Sequence, residues 1–193
     1  MKKVFSIVVL GVAACLAHVT SFAADYKIDP VHSFVLFKVK HMGASYVYGH
    51  FTAMEGTIVF DAENPEASSV EMTIKSESVT THNAGRDRHI SGPDFFNVKE
   101  FPVMTFKSSS WKKAGENTYA VTGDFTLLGV TKTLTLTVEH VGDGTMRGNE
   151  LSGFHTVFSI DRSDYGMNYG IAPGGGGLGK DIEITISTES IKQ

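Results

Sequence analysis

Cysteine is almost absent from this 193-residue chain, since Cys15 is the only one. It lies in an N-terminal apolar run that we expect to be removed, and the remaining chain then has no thiol. Disulfide bonds, thiolate metal sites and cysteine nucleophiles are excluded from such a mature protein. Its stability would therefore have to come from a hydrophobic core.

Clusters of Lys or Arg are also lacking. Removing Lys2 and Lys3 with the N-terminal run leaves 15 of the 17 basic residues against 21 acidic ones, a net charge of −6. Nucleic-acid binding requires a basic surface, so we expect no nucleic-acid partner. The fractions of apolar residues, 41%, and charged residues, 20%, are ordinary for a single folded domain.

Recognised catalytic motifs are missing as well. No serine lies in a G-x-S-x-G turn, and the seven histidines that follow His18 form no H-E-x-x-H pattern. The run Gly174–Lys180 approaches a phosphate-binding loop, but Asp181 replaces the required hydroxyl and a strand pattern follows instead of a helix. We therefore expect no catalytic residue, no metal and no cofactor. A zinc site assembled across strands is the alternative.

The N-terminus has the features of a secretory signal. A basic start, Met1-Lys2-Lys3, precedes a short apolar run, and small residues follow up to Ala23. We expect 1–23 to be a cleaved signal peptide and 24–193 to be one domain exported to the periplasm, with no membrane span. The run falls short of the ~20 apolar residues that span a bilayer. A lipid anchor at Cys15 is the alternative.

The remaining chain is rich in alternation between apolar and polar residues. Eight segments show apolar side chains at every second position, as in the odd positions from Val31 to His41. This is the period of a half-buried strand. Turn signals separate several of the segments: Asn64-Pro65, Gly115-Glu116-Asn117, Leu128-Gly129-Val130-Thr131, Gly142-Asp143-Gly144 and Gly148-Asn149.

These segments predict an all-β fold. The connections leave almost no room for helical crossovers, so the strands are expected to be antiparallel. Closure would remove exposed edges, which favours an eight-stranded antiparallel barrel, with a sandwich as the rival architecture. Between His82 and Phe106 the alternation is lost, and charged, aromatic and proline residues crowd together. We interpret this stretch as a short helical segment, near 84–98, over one end of the barrel.

The inward faces of the predicted strands are rich in Phe and Met. Such side chains form an adaptable apolar lining. An eight-stranded barrel holds either a packed core or one small ligand, and periodicity alone does not distinguish the two. If the barrel is hollow, the lining is predicted to comprise Phe37, Val39, Met54, Ile58, Met72, Ile74, Met104, Phe106, Phe125, Leu127, Leu136, Phe154 and Phe158.

Three cationic or titratable residues are candidates for contact with a polar ligand head. His41 shares a strand face with the lining, while Arg86 and Arg162 lie in polar clusters beside Asp87 and Asp161. Guanidinium groups bind phosphate or carboxylate in a bidentate manner. We predict that the two aspartates fasten the barrel. For each arginine, fastening and head-group contact are equal alternatives.

Several motifs resemble those of the YceI family of lipid- or polyisoprenoid-binding periplasmic proteins. They cover the mature chain nearly from end to end, and the most specific lie in the stretch where the alternation is lost. The motifs are Ala24–Asp29, His32-Ser33, His41-Met42-Gly43, Gly49-x-Phe51, Gly56-x-Ile58-x-Phe60-Asp61, Arg86-Asp87-x-His89-Ile90, Asp94–Val98, Phe101-Pro102-x-Met104-x-Phe106, Gly123-x-Phe125-x-Leu127-x-Gly129-Val130-Thr131-Lys132 and Asp161–Met167.

The resemblance implies a lipocalin-like barrel whose lumen holds a long apolar chain. The ligand would be a polyisoprenoid, an isoprenoid quinone tail or a fatty amide, and the role would be that of a carrier without catalysis. Two alternatives remain: an enzyme acting on the lipid head group, and a packed barrel acting through its surface. Strand edges at an open seam would also permit a homodimer.

Overall fold

The computed structural model describes residues 23–193, and the predicted signal peptide lies outside them except for Ala23. Strands make up most of this part of the chain. They are β1 (Ala24–Ile28), β2 (Phe34–His41), β3 (Ser45–Phe51), β4 (Met54–Phe60), β5 (Ser69–Lys75), β6 (Val79–Thr80), β7 (Val103–Lys113), β8 (Thr118–Leu127), β9 (Val130–Met146), β10 (Asn149–Asp161) and β11 (Leu178–Lys192). The α-helix α1 spans Ala84–Ile90, and 3-10 turns occupy Pro65–Ala67, Ser76–Ser78, Arg162–Tyr165 and Pro173–Gly175.

Eight strands close into an antiparallel barrel, as the sequence predicts. Their order is β1-β4-β5-β7-β8-β9-β10-β11, and pairing of β11 with β1 closes the ring. Strand β11 is long enough to have two successive partners on the same side. Its C-terminal half pairs with β1, as at Ser190 and Ile28, and its N-terminal half pairs with β2, as at Ile184 and Phe37. From there β2, β3 and β6 extend the wall of the barrel at one end.

The eight predicted strands all occur, but β2 lies outside the closed ring and β1, which was not predicted, takes its place. Strands β3 and β6 were not predicted either. Strands β1 and β6 contain five and two residues, which is too short for a clear period. In β3 the alternation is hidden, because exposed tyrosines at 46 and 48 flank Val47, and Gly49 has no side chain to show its inward position. The predicted turn at Gly142-Asp143-Gly144 is wrong. Strand β9 runs through it, and the register shift opposite, between Gly153 and Phe154, accommodates it.

The two-residue turns of the long hairpins have positive φ at both positions. Leu128 and Gly129 connect β8 to β9 with φ of 51° and 73°, and Arg147 and Gly148 connect β9 to β10 with φ of 53° and 87°. Left-handed backbone at both central residues matches the twist of the flanking strands. The predicted reversals at Gly129 and Gly148 are thereby confirmed.

The predicted helical segment near 84–98 is present in its first half. Helix α1 begins after Asn83, whose side chain accepts a hydrogen bond of 3.0 Å from the amide of Arg86. It ends before Gly92-Pro93, because the residue before a proline is disfavoured in the α region. The chain from 91 to 101 continues in turns. The described part of the chain contains no helix long and apolar enough to span a membrane.

The two ends of the barrel differ. One end is filled by aromatic rings centred on Phe60, which lies 4.8 Å from the His140 ring, 5.1 Å from Phe154 and 5.4 Å from Tyr119. Trp111 completes this floor at 6.1 Å from Phe60. Towards the other end, where β2 and β3 extend the wall, the interior is hollow. The barrel is therefore packed at one end and open to a ligand at the other.

Candidate functional site

The hollow part of the barrel is a cavity of about 590 Å³. Pockets for small ligands are typically ~300–1,000 Å³ and mostly apolar. Twelve of the thirteen predicted lining residues border it: Phe37, Val39, Ile58, Met72, Ile74, Met104, Phe106, Phe125, Leu127, Leu136, Phe154 and Phe158. Their side chains come from seven different strands and face the inside, as the alternation predicted, and their contact with a ligand stays a prediction.

Met54 is the predicted lining residue that does not border the cavity. It is buried, with 7% of its surface exposed, and it belongs to the packed core. It is the first residue of β4, and the preceding Ala53 is hydrogen-bonded to Ser78 and Lys75 beside the Ser76–Ser78 turn. This connection folds over the end of the strand, and Met54 packs in the wall there.

Part of the cavity wall comes from the stretch without alternation. Phe96 packs its ring at 5.3 Å from Phe51 and 6.2 Å from Phe37, both in edge-to-face geometry. Ile90 at the end of α1 is buried, and Phe95 and Phe96 follow it along the wall. The loss of alternation in the sequence indicates that this stretch is not a strand, but it does not show which residues of the stretch point inward.

The cavity meets solvent at the end opposite the aromatic floor. Its exposed lining residues gather there, including Met42 with 57% and Tyr169 with 48% of their surface exposed. The rings of His89, Phe95 and Tyr169 form a triangle with centroid distances of 5.1, 5.1 and 5.2 Å. This triangle joins the helical segment to the loop after β10, so one side of the mouth is formed by both.

Arg86 stands at this mouth on the exposed face of α1. Its Nε donates to the Thr81 hydroxyl at 2.7 Å and its Nη2 donates to the Thr81 carbonyl at 2.9 Å. Its Nη1 has no hydrogen-bond partner among the described residues. The neighbouring Asp87 accepts hydrogen bonds from the Thr81 amide at 2.7 Å and from the Thr80 hydroxyl at 3.0 Å. Asp87 also accepts a hydrogen bond from the Thr81 hydroxyl, which is the main cause that lowers its pKa, and these contacts support the predicted fastening role.

Arg162 also borders the cavity, but its guanidinium is occupied. It is 2% exposed and donates to the carbonyls of Gly179 at 2.8 Å, Met167 at 2.9 Å, Tyr169 at 2.8 Å and Leu178 at 3.4 Å. Burial lowers its pKa from the usual high value. Of the two predicted roles, the contacts support the fastener: Arg162 holds both ends of the loop that follows the Arg162–Tyr165 turn.

Asp161 reinforces the same junction. Its carboxylate lies 2.7 Å from the Lys180 ammonium and accepts a bond of 3.0 Å from the Ser163 amide. The Lys180 hydrogen bond and then those from Ser163 lower the pKa of Asp161 to about 2. These contacts support the predicted fastening role of Asp161.

His41, the third candidate for a polar contact, lies at the mouth where β2 ends. Its ring is partly buried, borders the cavity and has no hydrogen-bond partner within residues 23–193. His32, in contrast, has two acidic partners: its Nδ1 lies 2.7 Å from Asp29 and 3.5 Å from Glu189. The Asp29 hydrogen bond raises the pKa of His32, and the His32 ring links Asp29 in the β1–β2 connection to Glu189 in β11.

Comparison with known proteins identifies relatives of the chain. A model of the YceI-like domain matches residues 26–190. A UPF0312 protein of Ectopseudomonas mendocina is 38% identical over 196 positions, covering 100% of both chains. Among solved structures, BcnA of Burkholderia cenocepacia is similar with a TM-score of 0.75 and 27% identity, covering 84% of this chain and 98% of that one. A polyisoprenoid binding domain from Saccharophagus degradans, 12% identical, shares the fold with a TM-score of 0.67 and coverage of 89% and 100%.

Proposed function

Since the chain belongs to the YceI-like domain family, we propose that it binds a long-tailed lipid in the barrel and carries it in the periplasm. The ligand class is a polyisoprenoid, an isoprenoid quinone or a fatty amide. The single observation that supports this most directly is the apolar cavity of about 590 Å³, closed by aromatic rings at one end and open at the other. A polyisoprenoid-binding domain with the same fold supports the same ligand class.

The shape of the cavity favours one orientation of the ligand. An apolar tail gains ~0.8 kcal/mol for each CH₂ group that it removes from water. Inner faces near the floor, around Val121, Phe154 and Trp111, are mostly apolar. The hydroxyl of Thr188, opposite Phe154, has no hydrogen-bond partner among the described residues, but it is a single neutral group. At the mouth, the groups with free hydrogen-bonding capacity are the guanidinium of Arg86 and the imidazole of His41. The tail therefore enters first, and the polar head stays near these two residues.

The cavity chemistry favours binding over catalysis. Its described lining contains no Asp, Glu, Lys or Cys side chain. His89, which does border the cavity, is 3.1 Å from Asp94, but both side chains are half-exposed and Asp94 does not border the cavity. Hydrolytic or transfer chemistry needs a nucleophile or a base–carboxylate pair aimed at the substrate. An enzyme acting on the head group remains the second candidate, and this pair would be its catalytic group.

The predicted export is consistent with a carrier role. The predicted signal peptide would deliver the chain to the periplasm, where lipids moving between membranes need shielding from water. The mature chain would have no cysteine and would not depend on disulfide formation there.

A cavity-filling substitution tests the proposal. Ile184 borders the cavity, whereas its neighbour Thr185 points to the outer face between Leu36 and Val157. We expect Ile184→Trp to fill the lumen and lower the retention of a prenyl quinone after gel filtration by at least ~10-fold, about 1.4 kcal/mol. The matched control Thr185→Trp should retain it as the unchanged protein does. Equal retention by both variants would show that the quinone does not occupy the barrel.

A further inference from the structure

After residue 24, two stretches of at least 14 residues contain no Asp, Glu, Lys or Arg. They are 41–54 and 165–179, in a protein whose residues are 20% charged and whose net charge is −4. Solvated loops of a soluble protein usually carry charges, because water favours them. A surface formed by two uncharged segments, one containing β3 and the other the loop after β10, is therefore a distinct feature of this molecule.

Both segments lie around the mouth of the cavity. His41, Met42 and Val47 of the first and Met167, Tyr169 and Leu178 of the second border the cavity. The amide of Met42 donates to the carbonyl of Gly177 at 2.9 Å and joins the two segments directly. They form one continuous surface, which we call the mouth rim, made of residues 42–48 and 167–178.

The mouth rim exposes large apolar and aromatic side chains. Met42, Tyr46, Tyr48 and Tyr169 are 57%, 55%, 63% and 48% exposed. The run from Gly170 to Gly177 adds Ile171, Ala172 and Pro173 between glycines. Tyr is enriched where proteins meet the interfacial layer of a membrane, because its ring is apolar and its hydroxyl is polar. Contiguous exposed apolar surface marks an interaction site.

Cations flank the mouth rim. Lys40 immediately precedes the first segment, and Arg88 lies on the exposed face of α1. Neither has an ion-pair partner in the part of the chain that the structure describes. Acidic groups near the rim have basic partners: Glu183 lies 2.7 Å from Lys38, Asp161 and Asp181 lie 2.7 and 3.9 Å from Lys180, and Asp94 lies 3.1 Å from His89. Unpaired Lys and Arg beside an apolar surface attract anionic phospholipid headgroups.

We propose that the mouth rim docks on the surface of an anionic phospholipid bilayer, with the cavity opening towards the acyl chains. This proposal rests on the proposed function and specifies where the lipid is exchanged. Passage through water would expose the tail at ~0.8 kcal/mol for each CH₂ group. Contact between rim and bilayer lets the tail move from one apolar phase to the other without that exposure.

A pair of matched substitutions tests the docking surface. Tyr48 on the rim and Val141 on β9, towards the aromatic floor, are 63% and 62% exposed, and neither borders the cavity. We expect the unchanged protein to co-sediment with vesicles of phosphatidylethanolamine and phosphatidylglycerol. Tyr48→Glu should lower the bound fraction by ~10-fold, since a carboxylate is repelled by the anionic surface and costly to bury there. Val141→Glu should leave the bound fraction unchanged.

Two measurements on the same variants separate the possible failures. In the absence of vesicles, Tyr48→Glu and Val141→Glu should retain a prenyl quinone equally well. Failure of the unchanged protein to retain the quinone would refute lipid binding itself. The docking proposal is overturned if the unchanged protein retains the quinone but does not co-sediment with the vesicles. It is likewise overturned if both variants bind the vesicles equally. It is also overturned if Tyr48→Glu only dissociates a dimer in analytical ultracentrifugation without vesicles.

Discussion

At the scale of single residues, the two arginines that the sequence left undecided differ in their free hydrogen-bonding capacity. Arg162 donates four hydrogen bonds to backbone carbonyls and is buried, whereas Arg86 bonds only to Thr81 and is exposed at the mouth. Arg86 precedes Asp87 and Arg162 follows Asp161, each in a polar cluster, so the local sequence does not distinguish their roles. The difference depends on where distant segments, such as the loop ending at Gly179, pass the guanidinium.

Arg86→Ala should weaken the binding of a lipid with a polar head. We expect its Kd to rise by ~10-fold, since about 1.4 kcal/mol is the typical scale of one hydrogen bond to a charged group. The free energy of unfolding should fall by no more than ~1 kcal/mol, because Arg86 is exposed, water can replace its guanidinium at the Thr81 carbonyl, and the buried Thr81 hydroxyl keeps its bond to Asp87. Isothermal titration with a prenyl quinone and chemical denaturation measure the two effects.

The control for Arg86 is Arg88 on the same helix. Arg88 is exposed and has no hydrogen bond within the described residues, so Arg88→Ala should change neither the Kd nor stability. If both substitutions weaken quinone binding equally, the effect is one of net charge rather than of a contact. A large loss of stability in Arg86→Ala with unchanged affinity would assign Arg86 to fastening alone.

The Asp161–Lys180 pair predicts a loss of stability in acid. The pKa of Asp161 is lowered from 3.8 to about 2, so below pH 3.8 the unfolded chain binds a proton that the folded protein does not. The contribution of this carboxylate is complete above pH 3.8 and is lost as the pH falls through about 2. Asp161→Asn should remove it. Denaturation midpoints of the two proteins should converge as the pH falls through this window, and parallel curves would refute the assignment.

At the scale of elements, alternation predicted strands well wherever both faces carried side chains. The hairpin from β8 to β9 is an example, with inward Phe125 and Leu136 and outward threonines that hydrogen-bond across the pair, as Thr122 does with Thr135 at 2.9 Å. Short β1 and β6 have too few residues for a period. The packing of Phe96, in the turns after α1, against the barrel wall was not predictable. It depends on contacts with Phe37 and Phe51, which are more than 40 residues away in the chain.

The loop after β10 depends on one buried side chain. Arg162→Met should lower the free energy of unfolding by ~3–5 kcal/mol, because buried carbonyls that lose their donor cost ~1–3 kcal/mol each and the loop is free to open partly. Thermal denaturation measures the loss, and Arg88→Met is the matched exposed control. A loss below ~1 kcal/mol would mean that water serves these carbonyls and that Arg162 does not hold the loop.

At the scale of the whole molecule, a barrel filled at one end and hollow at the other satisfies two opposed demands. The aromatic rings around Phe60 and Trp111 supply the packed core that a chain without disulfides needs. The hollow end gives up that packing and gains a binding site. Periodicity predicted inward faces correctly but could not tell packed from hollow, because the choice depends on how side chains from eight strands meet across the barrel.

The most direct test of the account is native mass spectrometry of the mature protein purified from periplasm without detergent. We predict one apolar molecule bound per chain, with a mass in the range of an isoprenoid or fatty-acyl lipid, released by solvent extraction. The cavity-filling variant Ile184→Trp, purified in the same way, should be empty. Finding the unchanged protein empty, and unable to take up a prenyl quinone or a fatty amide when offered, would contradict the claim that the barrel is a lipid carrier.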